Sequence, residues 1–190
     1  MALTESYMLP LGTPAPDFTL LNVRDQQPTH LQENSGKKGT LIVFMCNHCP
    51  YVVHLIDAFV TLAKSLEEQG IQTIAISSND IHSHPQDGPE AMTKFARARN
   101  FSFPYLYDAT QAVAHAYQAA CTPDFYLFDQ DLKLFYRGRF DASRPGNELP
   151  LNGADLKHAT TALLQEQKIP DPQYPSMGCN IKWKAGNEPK

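Results

Sequence analysis

Two of the chain's four cysteines stand three positions apart, in the stretch FMCNHCPYV that runs from Phe44 to Val52. Cys46 and Cys49 enclose an asparagine and a histidine, and a proline follows directly. Thiols at this spacing can form a reversible disulfide, supply half of a metal site, or pack as small buried residues. The surrounding sequence has to distinguish these three possibilities.

The cysteine pair lies where a predicted strand meets a predicted helix. Residues 40–45 form a continuous apolar, β-branched run, which is typical of a strand covered on both faces. Apolar residues then recur every three or four positions, which predicts a helix that ends at Gly70. We therefore expect Cys46 directly after the strand, near an exposed helix start, and Cys49 in the first turn of that helix.

This position favours a thiolate, because the unpaired N–H groups and the positive dipole end of a helix stabilise an anion. Only the deprotonated sulfur attacks a disulfide, and lowering a thiol pKa from about 8.5 to about 6 raises its ionised fraction at pH 7 from roughly 3% to roughly 90%. A protonated His48 would stabilise the thiolate and make the disulfide a stronger oxidant. The sequence thus predicts a redox dithiol in which Cys46 attacks, Cys49 resolves and His48 tunes the potential.

Two other interpretations of the cysteine pair stay open. Buried cysteines often only pack, although a helix start is an improbable place for two inert thiols. A zinc site would need two more ligands, which Cys121, Cys179 or the His82/His84 pair could supply only through folding. The dithiol interpretation is favoured, and we expect neither a metal nor a cofactor.

The hydrophobic pattern of the remaining chain predicts a mixed α/β sheet with helices on both faces. Ile71–Ser78 is a second buried-type strand, which a helical crossover would place parallel to the first. Asp87 and Glu90 mark the start of a second helix. Two aromatic-rich runs, 125–128 and 132–140, predict an antiparallel hairpin, and a last helix follows that stops near position 169.

Length and charge limit the class of protein. The 190 residues fit one domain over 1–190, with a core of about 10–169 and a C-terminal tail over 170–190. A net charge of −4 without a run of lysine or arginine gives no indication of a nucleic-acid partner. We find neither a secretory signal nor an apolar stretch of membrane-spanning length, and four cysteines are too few for a disulfide scaffold. These features predict a cytoplasmic protein with no membrane partner, and they leave its oligomeric state open.

The combination of motifs resembles a known family. A CxxC at a strand–helix junction, with Thr122-Pro123 before a strand in ACTPDFYLFD, resembles the thioredoxin superfamily. The opening LGTPAPDFTL, the long insert before Tyr105 and the tail GCNIKWK are more similar to its peroxiredoxin-like, AhpC/TSA-related branch. The resemblance implies a thioredoxin-like fold with an extended N-terminal segment. It also implies thiol–disulfide exchange between a protein or small-molecule disulfide and a thiol electron donor.

The resemblance assigns roles outside the CxxC as well. It implies that Pro123 is cis and that Thr122, Pro123 and Asn47 seat the substrate, although a trans proline that opens a strand is an alternative. Thioredoxins carry a buried carboxylate six residues before the first cysteine, where this chain has Thr40. Proton transfer would therefore need another base or water, and His48 is one candidate.

A thiol peroxidase is the alternative enzymatic function. Peroxiredoxins carry the motif P-x-x-x-T-x-x-C, and aligning its cysteine with Cys49 places Cys46 at the threonine and Ile42 at the proline. The peroxide pocket is thus missing two of its expected residues, which favours disulfide exchange. A non-catalytic metal-binding or interaction module on the same fold is the third possibility.

Each of the two remaining cysteines has two interpretations. Cys121 could face Cys46 across the Thr-Pro loop, but a small core filler is the favoured interpretation. Cys179 could act as a relay or resolving thiol on a mobile tail, or it could simply pack with that tail. His82 and His84 lie in a loop, where a pair of histidines usually faces solvent.

Overall fold

The computed structural model of the chain describes residues 3–189, and this part contains ten strands, four α-helices and two short 3₁₀ turns. The strands are β1 (Leu3–Glu5), β2 (Thr19–Asn22), β3 (Pro28–His30), β4 (Gly39–Phe44), β5 (Ile71–Ser77), β6 (Tyr105–Tyr107), β7 (Cys121–Thr122), β8 (Asp124–Phe128), β9 (Leu134–Gly138) and β10 (Met177–Asn180). The helices are α1 (Pro50–Glu68), α2 (Pro89–Ala98), α3 (Ala112–Ala116) and α4 (Ala154–Leu164), and the 3₁₀ turns are Gln32–Asn34 and Pro85–Asp87.

Seven strands form the main sheet, in the order β3-β2-β6-β5-β4-β8-β9. The central strand β4 pairs in parallel with β5 and antiparallel with β8, so the sheet is mixed, as predicted. The crossover through α1 makes β4 and β5 parallel, and the short turn between β8 and β9 makes the predicted hairpin antiparallel. Every residue of β4 is buried, which explains its unbroken apolar sequence.

The two faces of this sheet carry separate hydrophobic clusters, because successive side chains of a strand point to opposite sides. Leu41 and Val43 pack with α1, α2 and α4. Ile42 and Phe44 pack on the other face, with the α3 region. Helices therefore cover both faces, which confirms the predicted fold class.

A second sheet of three strands, in the order β1-β10-β7, joins the two ends of the chain. The tail strand β10 lies between β1 and β7, with Cys179 opposite both Leu3 and Thr122. Ile181, the residue after β10, is 1% exposed and belongs to the α3-side core. The tail is thus anchored in the fold by strand pairing, which its short, glycine-containing sequence did not suggest.

Several predicted boundaries were wrong by a few residues. The apolar run over 103–107 predicts a short strand, which in the structure begins at Tyr105 as β6. Helix α1 begins at Pro50, so Cys49 is its extended N-cap residue (φ −65°, ψ 123°) and not part of its first turn. Helix α4 ends at Leu164 rather than near 169, because Glu166 adopts a left-handed backbone (φ 52°) that a helix cannot continue through.

Among residues 3–189, no helix combines the length and the apolar character that crossing a membrane requires. The division of the chain into one core and a tail remains a prediction.

Candidate redox site at the start of helix α1

The local sequence folds so that both cysteines lie at one end of β4. Cys46 follows β4 after one residue, and Cys49 caps α1 with Pro50 as the first helical residue. A proline is suited to that position because its missing N–H would have no partner within the helix. The Cys49 side chain makes no hydrogen bond to the N–H groups of the first turn.

Both sulfurs contact Thr122, the last residue of β7. Cys46 Sγ lies 3.6 Å from Thr122 Oγ1, and Cys49 Sγ donates to the carbonyl oxygen of Thr122 at 3.1 Å. The peptide bond between Thr122 and Pro123 is cis, as the resemblance implied. The structure thus brings together four of the predicted site residues, Cys46, Cys49, Thr122 and Pro123.

The two thiols shift each other's ionisation in opposite directions. The neighbouring Cys46 thiol lowers the pKa of Cys49 to about 5, even though burial opposes the shift. The Cys49 thiol raises the pKa of Cys46, and burial and the negative charge of Asp87 raise it further. The pair therefore titrates as one unit, in which the first ionisation leaves one thiolate beside one thiol.

The surrounding groups favour different protonation states for the two sulfurs. Cys46 Sγ lies 3.6 Å from the Thr122 hydroxyl, which can donate to a sulfur anion, and 3.8 Å from His48 Nδ1, whose proton is donated to Asp87 at 2.6 Å. Cys49 Sγ faces a carbonyl oxygen, to which only a protonated thiol can hydrogen-bond. These contacts oppose the pKa order of the pair and favour a form with the thiolate on Cys46, so both protonation forms have supporting contacts.

A buried carboxylate, which sequence reasoning missed, supports this site. Asp87 is 0% exposed and accepts hydrogen bonds from the Asn47 backbone N–H (2.9 Å), His48 Nδ1 (2.6 Å) and the Asn79 side-chain amide (2.8 Å). It was expected to open the second helix, but α2 begins at Pro89 with Gly88 as its N-cap. Asp87 instead orients His48, which lies between it and Cys46.

The order of the strands and loops contained a signal that Asp87 lies near the dithiol. The loops after the parallel strands β4 and β5 leave the sheet at the same edge, where open α/β sheets gather their functional groups. Asp87 follows β5 and the dithiol follows β4, so proximity of the two could have been anticipated.

Two other predicted residues have different surroundings from those expected. The Asn47 side chain donates to the Gln86 carbonyl oxygen at 2.8 Å and accepts from the Tyr105 hydroxyl at 3.0 Å, so it is engaged within the protein. His84 was expected to face solvent, but its ring stacks on His48 with 5.2 Å between the centroids. Burial, followed by the charge of His48, lowers the pKa of His84. His82 is exposed, as expected.

The remaining cysteines differ in their relation to the dithiol. Cys179 hydrogen-bonds to Cys49 through its side chain and its backbone, and it lies opposite Thr122 in the small sheet. Cys121 is fully buried, its Sγ is 3.9 Å from the Pro123 carbonyl oxygen, and burial raises its thiol pKa strongly. An un-ionised, enclosed thiol is consistent with the favoured interpretation of Cys121 as a core filler.

One group of side chains could hold a metal ion. Cys46, His48 and Asp87 each offer a ligand atom, and these atoms lie within 4.8 Å of one another. Sulfur, imidazole and carboxylate are all donors that zinc accepts. The same atoms form the His48–Asp87 hydrogen bond, so a metal would have to replace that contact.

The dithiol is enclosed in this conformation. Cys46 is 1% exposed and Cys49 0%, so the expectation of an exposed attacking sulfur was wrong. Thr122, His48 and the neighbouring strand β10 cover the end of α1. A cavity of about 260 Å³ lies beside it, lined in part by Tyr51 and Pro123. A substrate must therefore displace covering side chains before it reaches a sulfur.

Comparison with known proteins places the chain in a family. Residues 11–137 match the AhpC/TSA family. The thiol-disulfide oxidoreductase ResA of Geobacillus kaustophilus (strain HTA426) is 24% identical over 128 residues, which cover 67% of this chain and 68% of that protein. The crystal structure of an uncharacterized conserved protein from Geobacillus kaustophilus superposes with a TM-score of 0.95 at 49% identity, covering 97% of each chain.

A more distant structure establishes the fold. A thiol:disulfide interchange protein of the thioredoxin family from Chlorobium tepidum TLS has a TM-score of 0.62 at 16% identity, over 83% of this chain and 99% of that one. Together with the mixed sheet and the helices on both of its faces, this identifies the fold as thioredoxin-like. The chain belongs to the AhpC/TSA family, the peroxiredoxin-like branch of the thioredoxin superfamily.

Proposed function

We propose that this protein is a thiol–disulfide oxidoreductase whose redox centre is the Cys46/Cys49 dithiol. The observation that carries the proposal is that both sulfurs, at the start of α1, contact Thr122, the residue directly before a cis proline. This arrangement provides a nucleophile and a resolving thiol within one hydrogen-bonded unit. The match to the AhpC/TSA family and the similarity to a thiol-disulfide oxidoreductase support it.

The reaction follows from the contacts of each sulfur. The Cys46 thiolate attacks one sulfur of the substrate disulfide, that S–S bond breaks, and the other substrate sulfur leaves as a thiolate that takes up a proton. Cys49 then loses its proton and attacks Cys46 Sγ, which releases the second substrate thiol and forms the Cys46–Cys49 disulfide. Two electrons have passed from the dithiol to the substrate, and a thiol donor returns them by the reverse exchange.

His48 and Asp87 are placed to act on the Cys46 thiolate. His48 Nδ1 lies 3.8 Å from Cys46 Sγ and 2.6 Å from the Asp87 carboxylate, so the imidazole is held in one orientation beside the reacting sulfur. Because Nδ1 donates to Asp87, His48 stabilises the thiolate through the positive charge of its imidazolium form and not through a hydrogen bond to the sulfur. We therefore assign His48 the role of tuning the Cys46 thiolate and Asp87 that of a positioning residue.

The proposed substrates are protein or small-molecule disulfides, with a thiol as electron donor. On the basis of the cysteine content we also propose a cytoplasmic location. The thiol pool of the cytoplasm would keep the dithiol reduced there. The enclosed sulfurs favour substrates that can displace the covering side chains.

The test is the reduction of insulin and of hydroxyethyl disulfide by the purified protein with dithiothreitol as donor. Cys46→Ser should abolish turnover, and Cys49→Ser should accumulate a mixed disulfide between Cys46 and the substrate that mass spectrometry detects. Cys121→Ser is the matched control, because it removes a buried cysteine outside the dithiol and should leave turnover within about twofold of wild type. Equal activity of wild type and Cys46→Ser, or no activity of the folded, reduced protein with either disulfide, would refute the proposal.

The ligand cluster around Cys46 supports a second candidate, a metal-binding module. Purified protein would then contain about one zinc ion per chain, and Asp87→Asn would lower that content. Metal analysis by plasma mass spectrometry before and after dialysis against a chelator decides between the two candidates.

A further inference from the structure

The cis-proline loop already has a strand paired to it. In the proposed reaction, an extended substrate would add a strand to the free backbone edge beside Thr122-Pro123. In this structure β10 of the same chain occupies that edge, with Cys179 opposite Thr122 and Asn180 opposite Cys121. The protein thus supplies its own strand at the place where a substrate strand would bind.

The sequence of β10 is adapted to this close approach. A Cβ atom on Gly178 would collide with the carbonyl oxygen of Thr122, so only glycine permits the observed separation of the two strands. The pairing continues through a hydrogen bond from the Ile181 N–H to the Ala120 carbonyl oxygen at 3.1 Å. On its other side β10 pairs with β1, which holds Cys179 between two strands.

The same pairing brings a third sulfur to the dithiol. Cys179 lies opposite Thr122, whose carbonyl oxygen is 3.1 Å from Cys49 Sγ, and it belongs to the same buried cluster as Cys46 and Cys49. Its side chain and backbone both hydrogen-bond to Cys49. Cys179 is 4% exposed, so solvent thiols have no easier access to it than to the dithiol.

We propose that β10 is a tethered substrate-like strand and that Cys179 is the intramolecular exchange partner of Cys49. After the Cys46–Cys49 disulfide has formed, the Cys179 thiol loses its proton and attacks Cys49 Sγ. The Cys49–Cys179 bond forms, the Cys46–Cys49 bond breaks, and Cys46 regains a thiolate without any net change in oxidation state. The oxidised site then holds its disulfide between Cys49 and the tail strand, while Cys46 is again a free nucleophile.

This proposal rests on the proposed oxidoreductase function and deepens it, and the Cys46→Ser variant tests it directly. That variant retains Cys49 and Cys179, which diamide can oxidise to a disulfide while it is itself reduced to the hydrazine. We expect a monomeric Cys49–Cys179 disulfide, identified by tandem mass spectrometry of digested, N-ethylmaleimide-blocked protein. It should form at least about tenfold faster than in urea-unfolded protein, since the fold places the two sulfurs together.

The controls separate this proposal from the function on which it rests. Cys46→Ser/Cys121→Ser should form the same bond, whereas Cys46→Ser/Cys179→Ser should form none. If wild type forms Cys46–Cys49 and reduces disulfides but Cys46→Ser never yields Cys49–Cys179, the tail proposal is refuted and the proposed function stands. If wild type forms no intramolecular disulfide at all, both are refuted. Should the variants fail to fold by circular dichroism, the fraction of Cys49–Cys179 peptide in oxidised wild type decides, and its absence counts against the proposal.

Discussion

Asp124 gives the protein a pH dependence of stability that can be worked out from the structure. It follows the cis-proline directly and is fully buried. Burial raises the pKa of its carboxyl from the ordinary value of 3.8 to about 7, although a hydrogen bond from the Tyr126 hydroxyl at 2.9 Å partly offsets this. Folded protein therefore binds the Asp124 proton more tightly than unfolded protein does.

The sign and size of the effect follow from this difference. Between pH 3.8 and pH 7 the folded state binds more protons at this group, so the free energy of unfolding falls as the pH rises and levels off above about pH 7. At about 1.4 kcal/mol per pH unit, the total loss is about 4 kcal/mol, of which about 2 to 3 kcal/mol falls between pH 5 and pH 8. This is a large fraction of the stability of an ordinary domain.

Asp124→Asn isolates the effect, because the amide resembles the protonated carboxyl in shape and cannot ionise. Urea unfolding followed by circular dichroism at several values between pH 5 and pH 8 gives the free energy of unfolding of both proteins. As the pH rises from 5 to 8, the free energy of unfolding of the variant should increase by about 2 to 3 kcal/mol relative to that of wild type. Any pH-independent difference between the two proteins adds a constant and does not alter this change. Asp131→Asn, at a solvent-exposed position, is the matched control and should follow wild type.

Parallel pH profiles for wild type and Asp124→Asn would refute this reasoning. They would mean that Asp124 is ionised in the folded protein throughout, with its charge compensated by its hydrogen-bond donors. If the variant instead became less stable relative to wild type as the pH rises, the predicted direction of the effect would be wrong.

Two further predictions concern the site and the tail strand. Asp87→Asn removes a negative charge that raises the pKa of Cys46, so in a Cys49→Ser background, where Cys46 is the only dithiol sulfur left, the thiolate absorbance at 240 nm should appear at a pH about one unit lower; an unchanged titration would show that the charge of Asp87 does not influence Cys46. Gly178→Ala would drive a Cβ into the Thr122 carbonyl, so β10 should separate from the loop, with a loss of about 1 to 3 kcal/mol in stability and faster alkylation of Cys49 by iodoacetamide. Gly186→Ala is its control, because the space around Gly186 is open and the change strains only the local backbone; equal alkylation rates in the two variants would contradict the idea that β10 shields the dithiol.

Much of the site could be predicted from short stretches of sequence. The buried run before Cys46 and the apolar periodicity after Cys49 fixed the strand–helix junction, because hydrophobic spacing reports local structure directly. The cis conformation of Pro123 was implied by the family resemblance and is confirmed. The covering of the dithiol was not foreseen, because the burial of a helix start depends on which distant segments pack over it.

What the sequence determined alone is the pair of thiols at the end of a buried strand and the helix that begins beside them. The tertiary structure decided which groups surround that pair: Asp87 reaches His48 across 39 positions, and Thr122 reaches Cys46 across 76. It also placed Cys179 opposite Thr122 by pairing two strands that are short and carry no strong local pattern. The physical reason is that periodicity and capping act within a few residues, whereas contacts between distant segments depend on how the whole chain packs.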